Sequence, residues 1–181
     1  MITQPTLTTP RLVLRPLTLA DAPVLQRLVG EKVIAANTLN IPHPYEDGMA
    51  ETWIGTHAPG WERGEQATFA ITQPSEGLVG VIGLTIEAAH KRAEAGYWIG
   101  TPFWGRGYAS EALKAIIEFG FKQLDLNRIH ASHFVRNPAS GRVMIKAGMS
   151  YEGRLRQHIL KWGQFEDLAK YSILRSEYEN R

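Results

Sequence analysis

Hydrophobic positions between residues 109 and 124 recur at the spacing of a helix with one apolar face. These positions are Ala109, Ala112, Leu113, Ile116, Ile117, Phe121 and Leu124. The i, i+3, i+4 repeat predicts an amphipathic helix, and the preceding segment 94–100 favours a strand that ends at Thr101-Pro102. A strand, a short glycine-containing loop and a helix thus follow one another. Free amides and the positive end of the helix dipole make such a helix start suitable for an anion, typically a phosphate.

Apolar runs and turn residues predict further elements on both sides of this helix. Strands are predicted at 11–17, 66–72, 78–87, 93–100, 128–135, 149–161 and 165–174. Helices are predicted at 18–30, about 46–57 and 138–147, with a loop over 37–48. Pro59-Gly60 is expected to interrupt or end the second of these helices. The antiparallel first half and the single strand–helix–strand crossover indicate an α/β fold with a mixed sheet.

Capping residues mark the ends of two predicted helices. Thr18 is a good N-cap, with the acidic Asp21 three positions further on. Asn137 is another good N-cap, with Pro138 at the first helical position, and Gly148 is a good helix terminator. The sequence therefore predicts where both helices start.

Composition and charge exclude several classes of protein. The 20 Lys and Arg residues against 18 Asp and Glu give a formal charge of +2 without a basic block, so no nucleic-acid partner is expected. The absence of cysteine excludes a disulfide framework, a thiolate metal site and an acetyl-cysteine intermediate. Without a secretory signal or an apolar run of about 18 residues, we expect no membrane partner and a cytoplasmic protein. The length of 181 residues predicts one domain over 1–181, with a core of about 9–175.

The loop before the amphipathic helix reads Trp104-Gly105-Arg106-Gly107-Tyr108-Ala109-Ser110. It is not a Walker loop, because no glycine here is followed by Lys and then Ser or Thr. It is not a dinucleotide fingerprint either, since Ser110 stands where the third glycine belongs. Gly105 and Gly107 permit an anion to approach the backbone closely, and Arg106 can add positive charge. The residues of the loop alone leave open a phosphate loop and an ordinary helix start.

This loop resembles the acyl-CoA pyrophosphate loop of the GNAT N-acetyltransferase superfamily, Gln/Arg-x-x-Gly-x-Gly/Ala. Gly107 and Ala109 fill its last two fixed positions, whereas Trp104 departs from the Gln or Arg at its first. That departure matters little if backbone amides do most of the binding. The resemblance therefore favours the phosphate loop.

A second segment, 137–149, resembles the Asn-x-x-Ser…Lys-x-Gly-Phe signature of the RimJ/RimL-type branch, which contains the ribosomal-protein N-terminal acetyltransferases and their relatives. Capping does not explain Ser140 or Lys146, so the resemblance adds information there. Residues 9–16 look like the opening strand of the family, and 163–167 like part of its closing strand pair. The resemblance thus covers nearly the whole chain in the right order.

The resemblance implies a fold and a co-substrate. The sheet would have about six to seven strands flanked by helices and splayed at the centre, with Gly96 consistent with a bulge that moves its strand away from its neighbour. Acetyl-CoA would be the co-substrate, without a metal, in a monomer or a homodimer. The residues that would hold it are Trp98, Ile99, Gly100, Trp104, Gly105, Arg106, Gly107, Tyr108, Ala109, Ser110, Asn137 and Ser140.

The resemblance also implies catalytic roles on one wall of the site. Asn137 would hydrogen-bond the pantetheine arm. Ser140 would lie near the sulfur and act as proton donor through hydrogen bonding or a water relay, because a serine hydroxyl is a poor free acid. Tyr151 and Tyr108 are weaker alternatives to Ser140.

The base that deprotonates the amine has two candidates. Glu94 lies upstream on the pantetheine strand, where related enzymes often place a carboxylate that acts through water, although a solvated strand residue explains it as well. Where the RimJ/RimL-type branch has a second acid before the last hairpin turn, this chain has Ile159 beside His158. His158 is therefore an alternative base. Asp167 matches a family position or only orders the terminal hairpin.

Other candidate side chains are explained by structural roles. His130 and His133 are three apart on a predicted strand and point to opposite faces, so they do not form a two-ligand metal site. In the family, the helical region with Tyr45, Trp53 and Trp61 borders the acceptor pocket. These aromatic side chains line that pocket or pack a loop onto the sheet.

These expectations lead to one leading function and two alternatives. The leading function is an acetyl-CoA-dependent N-acetyltransferase that transfers the acetyl group directly to a primary amine, with a protein N-terminal α-amine as acceptor. The first alternative replaces the acceptor with a small-molecule amine such as a polyamine, an amino acid or an antibiotic. The second is a non-catalytic CoA-binding module, which the presence of Asn137 and Ser140 disfavours.

Overall fold

In the computed structural model, which describes residues 3–180, eight strands form one sheet. The strands are β1 (Leu7–Thr8), β2 (Val13–Pro16), β3 (Gln66–Gln73), β4 (Gly77–Glu87), β5 (Arg92–Ile99), β6 (Arg128–Phe134), β7 (Ser150–Lys161) and β8 (Gln164–Leu174). Their order across the sheet is β1-β2-β3-β4-β5-β6-β8-β7, and within it β5 and β6 are the parallel neighbours. The predicted mixed, mostly antiparallel sheet is confirmed, with slightly more strands than expected.

Helices lie on both faces of this sheet. They are α1 (Ala22–Val29), α2 (Lys32–Asn37), α3 (Met49–Gly55), α4 (His57–Glu62), α5 (Tyr108–Lys122), α6 (Pro138–Lys146) and α7 (Arg175–Glu179). The predicted crossover is confirmed, because α5 connects the parallel strands β5 and β6. Within residues 3–180, no helix combines the length and the apolarity that crossing a membrane requires.

The region before β3 differs most from the prediction. α2 was not predicted, because it buries only the adjacent pair Ile34 and Ala35 and so shows no helical repeat. The helix expected over about 46–57 is replaced by α3 and α4, which meet at Thr56. The expectation that Pro59-Gly60 interrupts or ends a helix is wrong, since both residues lie inside α4. Pro59 is tolerated there because the first turn of a helix does not use its amides for intrahelical bonds.

The predicted cap at Thr18 is confirmed. The Thr18 amide donates to Asp21 Oδ2 at 2.8 Å, and the two residues form a capping box around a 3-10 turn, Leu19–Asp21, that leads into α1. Arg15 on β2 also pairs with Asp21, at 2.6 Å. The start of α1 is therefore anchored to the sheet by a polar contact as well as by apolar packing.

Two hydrophobic clusters hold the helices on opposite faces of the sheet. On one face, Ile116 and Phe119 of α5 pack against the sheet, together with α6. On the other face, Leu25 of α1 and Ile54 of α3 pack against it. The central strands are therefore buried on both sides, which agrees with the largely apolar composition of β3 and β4.

β5 and β6 pair over a short stretch and then separate. Their paired residues end at Glu94↔His130, whereas the two strands continue to Ile99 and Phe134. The predicted splay is confirmed, but the bulge predicted at Gly96 is wrong, since β4 and β5 pair in unbroken register along their shared length. The gap opens because β5 stays paired with β4 and β6 stays paired with β8, so the twist of the sheet carries the two pairs apart.

Candidate functional site

A cavity of about 960 Å³ opens where β5 and β6 separate. It extends from this gap to the face of the sheet that α1 and α3 cover. Lining residues on the gap side include Gly96, Tyr97, Ser132, Phe134 and Ser140, and those on the helix side include Tyr45, Trp53 and His57. The cavity thus joins the splayed centre of the sheet to a pocket of aromatic and polar side chains.

Side chains along β5 alternate between the two faces of the sheet. Trp98 is buried in the cluster with α1 and α3, and Glu94 and Gly96 share that face. Tyr97 and Ile99 pack on the opposite face, with α5. Trp98 and Ile99, which are predicted to hold CoA, therefore have buried side chains. Their backbone is the part that faces the gap.

Within residues 3–180, the edge of β5 beyond Glu94 faces the gap without a strand partner on that side. The Ile99 carbonyl at its end accepts a hydrogen bond from Trp104 Nε1 at 2.6 Å, and the Gly100 amide donates to the Val79 carbonyl at 2.9 Å. The remaining edge is open to an extended chain that pairs with it as an added strand would. The bond from Trp104 also gives a structural reason for a tryptophan at this loop position.

The loop from Trp104 to Gly107 leads directly into α5. Gly105 and Gly107 have φ values of 76° and 82°, in the left-handed region that favours glycine, and Gly107 is the N-cap residue of α5. Within residues 3–180, the amides of Gly105, Arg106 and Gly107 donate to no protein acceptor. The amides of the first turn of α5 lack intrahelical acceptors too. Together they form a cluster of free donors at the positive end of a 15-residue helix, which suits a phosphate.

Two arginines flank this loop, and both have carboxylate partners. Arg106 pairs with Glu76 at 2.6 Å and donates to the Pro102 carbonyl at 3.1 Å. Arg11 pairs with Glu111 at 2.6 Å and donates to the Arg106 carbonyl at 2.9 Å. Sequence reasoning did not single out Arg11, which reaches the loop only through the packing of the β2 entry against α5. These pairs hold the loop in place and leave the backbone amides as its free donors.

α6 begins on the far side of the gap and brings Ser140 to it. Asn137 is the N-cap residue, as predicted, but its side chain makes no capping hydrogen bond. Ser140 lines the cavity, and its Oγ lies 2.8 Å from the hydroxyl of Tyr97, which also lies 3.1 Å from the Ser140 carbonyl oxygen. Burial raises the pKa of Tyr97, so this hydroxyl keeps its proton. Sequence reasoning missed the Tyr97 side chain, which the alternation along β5 would have placed on the side of α6.

Glu94 is an exposed strand residue that lines the cavity. Asp47 is the other carboxylate among the lining residues, and it accepts a hydrogen bond from Gln26 Nε2. The lining residues, all in the described part of the chain, include no lysine or arginine. Most other polar lining side chains are neutral, among them Asn37, Thr38, Asn40, Thr52, Thr56 and Thr68. Among the described residues, the cavity lining therefore carries two carboxylates, Glu94 and Asp47, and no cationic lysine or arginine beside them.

His57 on α4 lines the cavity although its side chain is buried. Its ring lies edge-on to Trp53, with ring centroids 4.3 Å apart, and neither ring nitrogen has a hydrogen-bond partner within residues 3–180. Burial lowers the pKa of His57 to about 4, against a smaller opposing influence of Gln66. The Gln66 amide donates to the Thr56 carbonyl at 2.9 Å. Because the pKa of His57 is well below 7, its imidazole is neutral near pH 7.

The two histidines of β6 lie on opposite faces of the sheet, as predicted. His133 stacks on Tyr171 with centroids 5.6 Å apart, whereas His130 is buried and burial lowers its pKa to about 4. Nearby cations, Lys170 first, lower the pKa of His130 further. Among residues 3–180, no group of three His, Asp or Glu side chains is placed to hold a metal ion.

The alternative proton donors lie outside the cavity. Tyr151 is exposed on β7, and Tyr108 is buried with Arg11 over its ring. Of the aromatic residues expected to border the acceptor pocket, Tyr45 and Trp53 line the cavity. Trp61 instead packs near Phe119 in the α5 cluster.

His158, the alternative base, lies in a separate hollow between β7 and β8 beside Asp167. Asp167 accepts a hydrogen bond from the Gln157 amide at 2.6 Å and pairs with Arg154, at the point where the ladder between β7 and β8 shifts register. Asp167 thus orders the hairpin. The structure does not bring His158 together with Glu94 and Ser140.

A family model described as an acetyltransferase (GNAT) domain matches residues 11–150 of the chain. The uncharacterized N-acetyltransferase p20 of Bacillus licheniformis is 33% identical over 176 residues, which cover 96% of this chain and 98% of that protein. The ribosomal-protein-serine acetyltransferase of Escherichia coli is 34% identical over 112 residues, or 61% of this chain and 62% of that protein. Among solved structures, the spermidine N-acetyltransferase of Vibrio cholerae in complex with CoA and spermine shares the fold with a TM-score of 0.82 at 23% identity, covering 95% of this chain and all of that one (100%).

Proposed function

Because the chain belongs to the GNAT acetyltransferase family, in the branch of the ribosomal-protein acetyltransferases, we propose that this N-acetyltransferase takes a protein N-terminal α-amine as its acceptor. The cavity at the splay between β5 and β6 carries this proposal, since it joins the open β5 edge to a pocket whose polar side chains are mostly neutral. The roles of individual residues below belong to the same proposal.

The residues around the gap fit an acyl-CoA. Free amides from Gly105 to Gly107 and at the start of α5 would receive the pyrophosphate. The open edge of β5 beyond Glu94 would pair with the pantetheine arm. On the opposite wall, Asn137 has a side-chain amide without a capping bond, and it would hydrogen-bond the same arm. The thioester would then lie beside Ser140.

The transfer exchanges one bond at the acetyl carbon for another. The amine nitrogen bonds to this carbon while the carbon–sulfur bond breaks, so an amide and a thiol result. The amine loses one proton to water beside Glu94, and the sulfur gains one from solvent as Ser140 donates a hydrogen bond to it. Unpaired amides of the β5 edge face the carbonyl oxygen, where negative charge develops.

The neutral polar lining of the cavity suits the backbone of a peptide acceptor. A polyamine brings further ammonium groups, and each needs a carboxylate or water to replace its hydration. The lining offers two carboxylates, Glu94 and Asp47, for ammonium groups. A peptide N-terminus brings one amine followed by amide groups, which suit the threonine and asparagine side chains of the lining. These neutral side chains support a peptide acceptor, whereas the two carboxylates leave a polyamine as the alternative.

Turnover of acetyl-CoA, read as free thiol, tests the acceptor. The panel contains peptides with a free α-amine, the same peptides with a blocked N-terminus and an internal lysine, spermidine, and free amino acids. We expect kcat/KM for at least one free α-amine peptide to exceed that for spermidine by about tenfold or more. The blocked peptides are the matched control, because they keep the chain and remove only the α-amine.

Two other results would replace this proposal. Higher kcat/KM for spermidine than for every peptide would make the protein a polyamine acetyltransferase, the activity named for the similar Vibrio cholerae structure. Binding of acetyl-CoA by calorimetry, without thiol release with any amine, would favour a non-catalytic CoA-binding module.

A further inference from the structure

The Tyr97 hydroxyl makes polar contacts across the gap between the two halves of the site. Tyr97 on β5 reaches α6, where its hydroxyl oxygen lies 2.8 Å from Ser140 Oγ and 3.1 Å from the Ser140 carbonyl oxygen. Both side chains line the cavity. Tyr97 is therefore the part of β5 that touches Ser140, the residue placed beside the sulfur under the proposed function.

The direction of this hydrogen bond follows from the two hydroxyls. A phenol, with a pKa of about 10, is a stronger hydrogen-bond donor than an aliphatic hydroxyl. The shorter contact, 2.8 Å to Ser140 Oγ, has the usual length of an O–H···O bond, whereas the contact of 3.1 Å to the carbonyl is longer. Either hydroxyl can donate in the shorter contact, and from its length and the stronger donor we infer that Tyr97 donates to Oγ. The single proton of Ser140 is then free to point elsewhere.

We propose that Tyr97 is a positioning residue that acts through Ser140, by donating to Ser140 Oγ and so directing the serine proton toward the sulfur of the leaving thiolate. This inference rests on the proposed function of Ser140. No proton passes through Tyr97, whose hydroxyl stays protonated throughout. The bond from Tyr97 also stabilises the charge that gathers on Oγ while Ser140 donates to the sulfur.

A double-mutant cycle tests this role in the full-length protein. Tyr97→Phe removes the hydroxyl and keeps the ring, so kcat should fall roughly tenfold while KM for acetyl-CoA changes by less than about twofold. Ser140→Ala should lower kcat at least as much. In the Ser140→Ala background, adding Tyr97→Phe should have no further effect, because its target is gone.

Tyr178→Phe is the matched control, since Tyr178 packs near Phe121, away from the cavity. This variant should keep the kcat of the wild type. Circular dichroism and thermal unfolding check that each variant is folded. A loss of stability without a change of kcat in Tyr97→Phe would assign Tyr97 a structural role and overturn the inference.

The remaining outcomes separate this inference from the proposed function. No thiol release by the wild type with any amine would remove the proposed function itself. If the wild type is active and Ser140→Ala lowers kcat, full activity of Tyr97→Phe overturns only the role of Tyr97. An equal loss from Tyr97→Phe with and without Ser140 would show that Tyr97 acts independently of the serine, which also overturns the positioning role.

Discussion

Alternation along β5 gives neighbouring residues opposite surroundings. Glu94 and Gly96 face the side of the sheet that α1 and α3 cover, whereas Tyr97 faces α6. A carboxylate that lines the cavity and a hydroxyl near Ser140 thus come from one short strand segment. Because the period of a strand is two, a shift of register by one residue would exchange these surroundings.

Glu94→Gln tests the base. If Glu94 receives the amine proton through water, kcat/KM should fall by about tenfold or more at pH 7 and by much less at pH 9, where more of the amine is already neutral. The deficit should be larger for a lysine-like amine, with a pKa of about 10.4, than for an α-amine with a pKa of about 8. The pH profile of kcat/KM with both amines measures this.

The control for this experiment is Glu62→Gln, which changes an exposed carboxylate outside the cavity lining. It should reproduce the pH profile of the wild type. A deficit of Glu94→Gln that is the same at every pH would instead mean that Glu94 orients the acceptor. No deficit at all would leave water as the base without help from this carboxylate.

The loop before α5 is the element that would bind phosphate through backbone amides alone. Its two arginines are engaged with Glu76 and Glu111, so the binding energy would come from amides and from the helix dipole. Such a site tolerates variation in side chains. It does not tolerate loss of an amide or of the left-handed backbone at Gly107.

Gly107→Pro should weaken CoA binding by roughly 10- to 100-fold while the protein stays folded. Proline removes one amide donor and cannot adopt the φ of 82° found at this position. Isothermal titration calorimetry with CoA measures the affinity. Gly163→Pro, at a hairpin turn with φ of 81° far along the chain, makes the same backbone change outside the loop and should leave the affinity unaltered. Unchanged affinity in a folded Gly107→Pro variant would remove the phosphate-loop assignment.

Considered as a whole, the molecule keeps two unpaired, buried histidines neutral on separate elements. His57 lies on α4 and His130 on β6, and burial lowers the pKa of each to about 4, well below the usual 6.5. Between these values the unfolded chain binds protons that the folded protein does not bind. Protonation therefore favours the unfolded state, and stability is lost as the pH falls through this window.

The free energy of unfolding should accordingly decrease from pH 6.5 to 4.5 by about 2 kcal/mol per buried histidine. Urea titrations at several pH values measure it. His130→Gln should reduce the slope against pH, whatever it does to the absolute stability. His90→Gln, which removes an exposed imidazole, is the matched control. Parallel slopes for the wild type and His130→Gln would contradict the prediction.

Carboxylates such as Glu152 lose their contribution to the free energy of unfolding at lower pH. The hydrogen bond from Arg128 lowers the pKa of Glu152 to about 2.

The sequence by itself determined the elements and their order. Periodicity of apolar residues located α5 and the long strands, and Thr18, Asn137 and Gly148 marked helix ends, because these signals depend on neighbours within one turn or one strand. The glycines around Arg106 left a phosphate loop and an ordinary helix start open, and only the family resemblance favoured the phosphate loop, which stays a prediction. The break at Thr56 and the short helix α2 were missed, since there the local pattern is weak and packing on the sheet decides.

Only the tertiary structure decided which side chains meet. The bond between Tyr97 and Ser140 joins residues 43 positions apart, and the separation of His158 from Glu94 depends on how β7 and β8 follow β6. The gap itself arises without a bulge at Gly96, because two antiparallel pairs twist away from each other beyond Glu94. Local sequence sets the direction of each side chain, whereas distances across the gap depend on the twist and packing of the whole sheet, which no short segment contains.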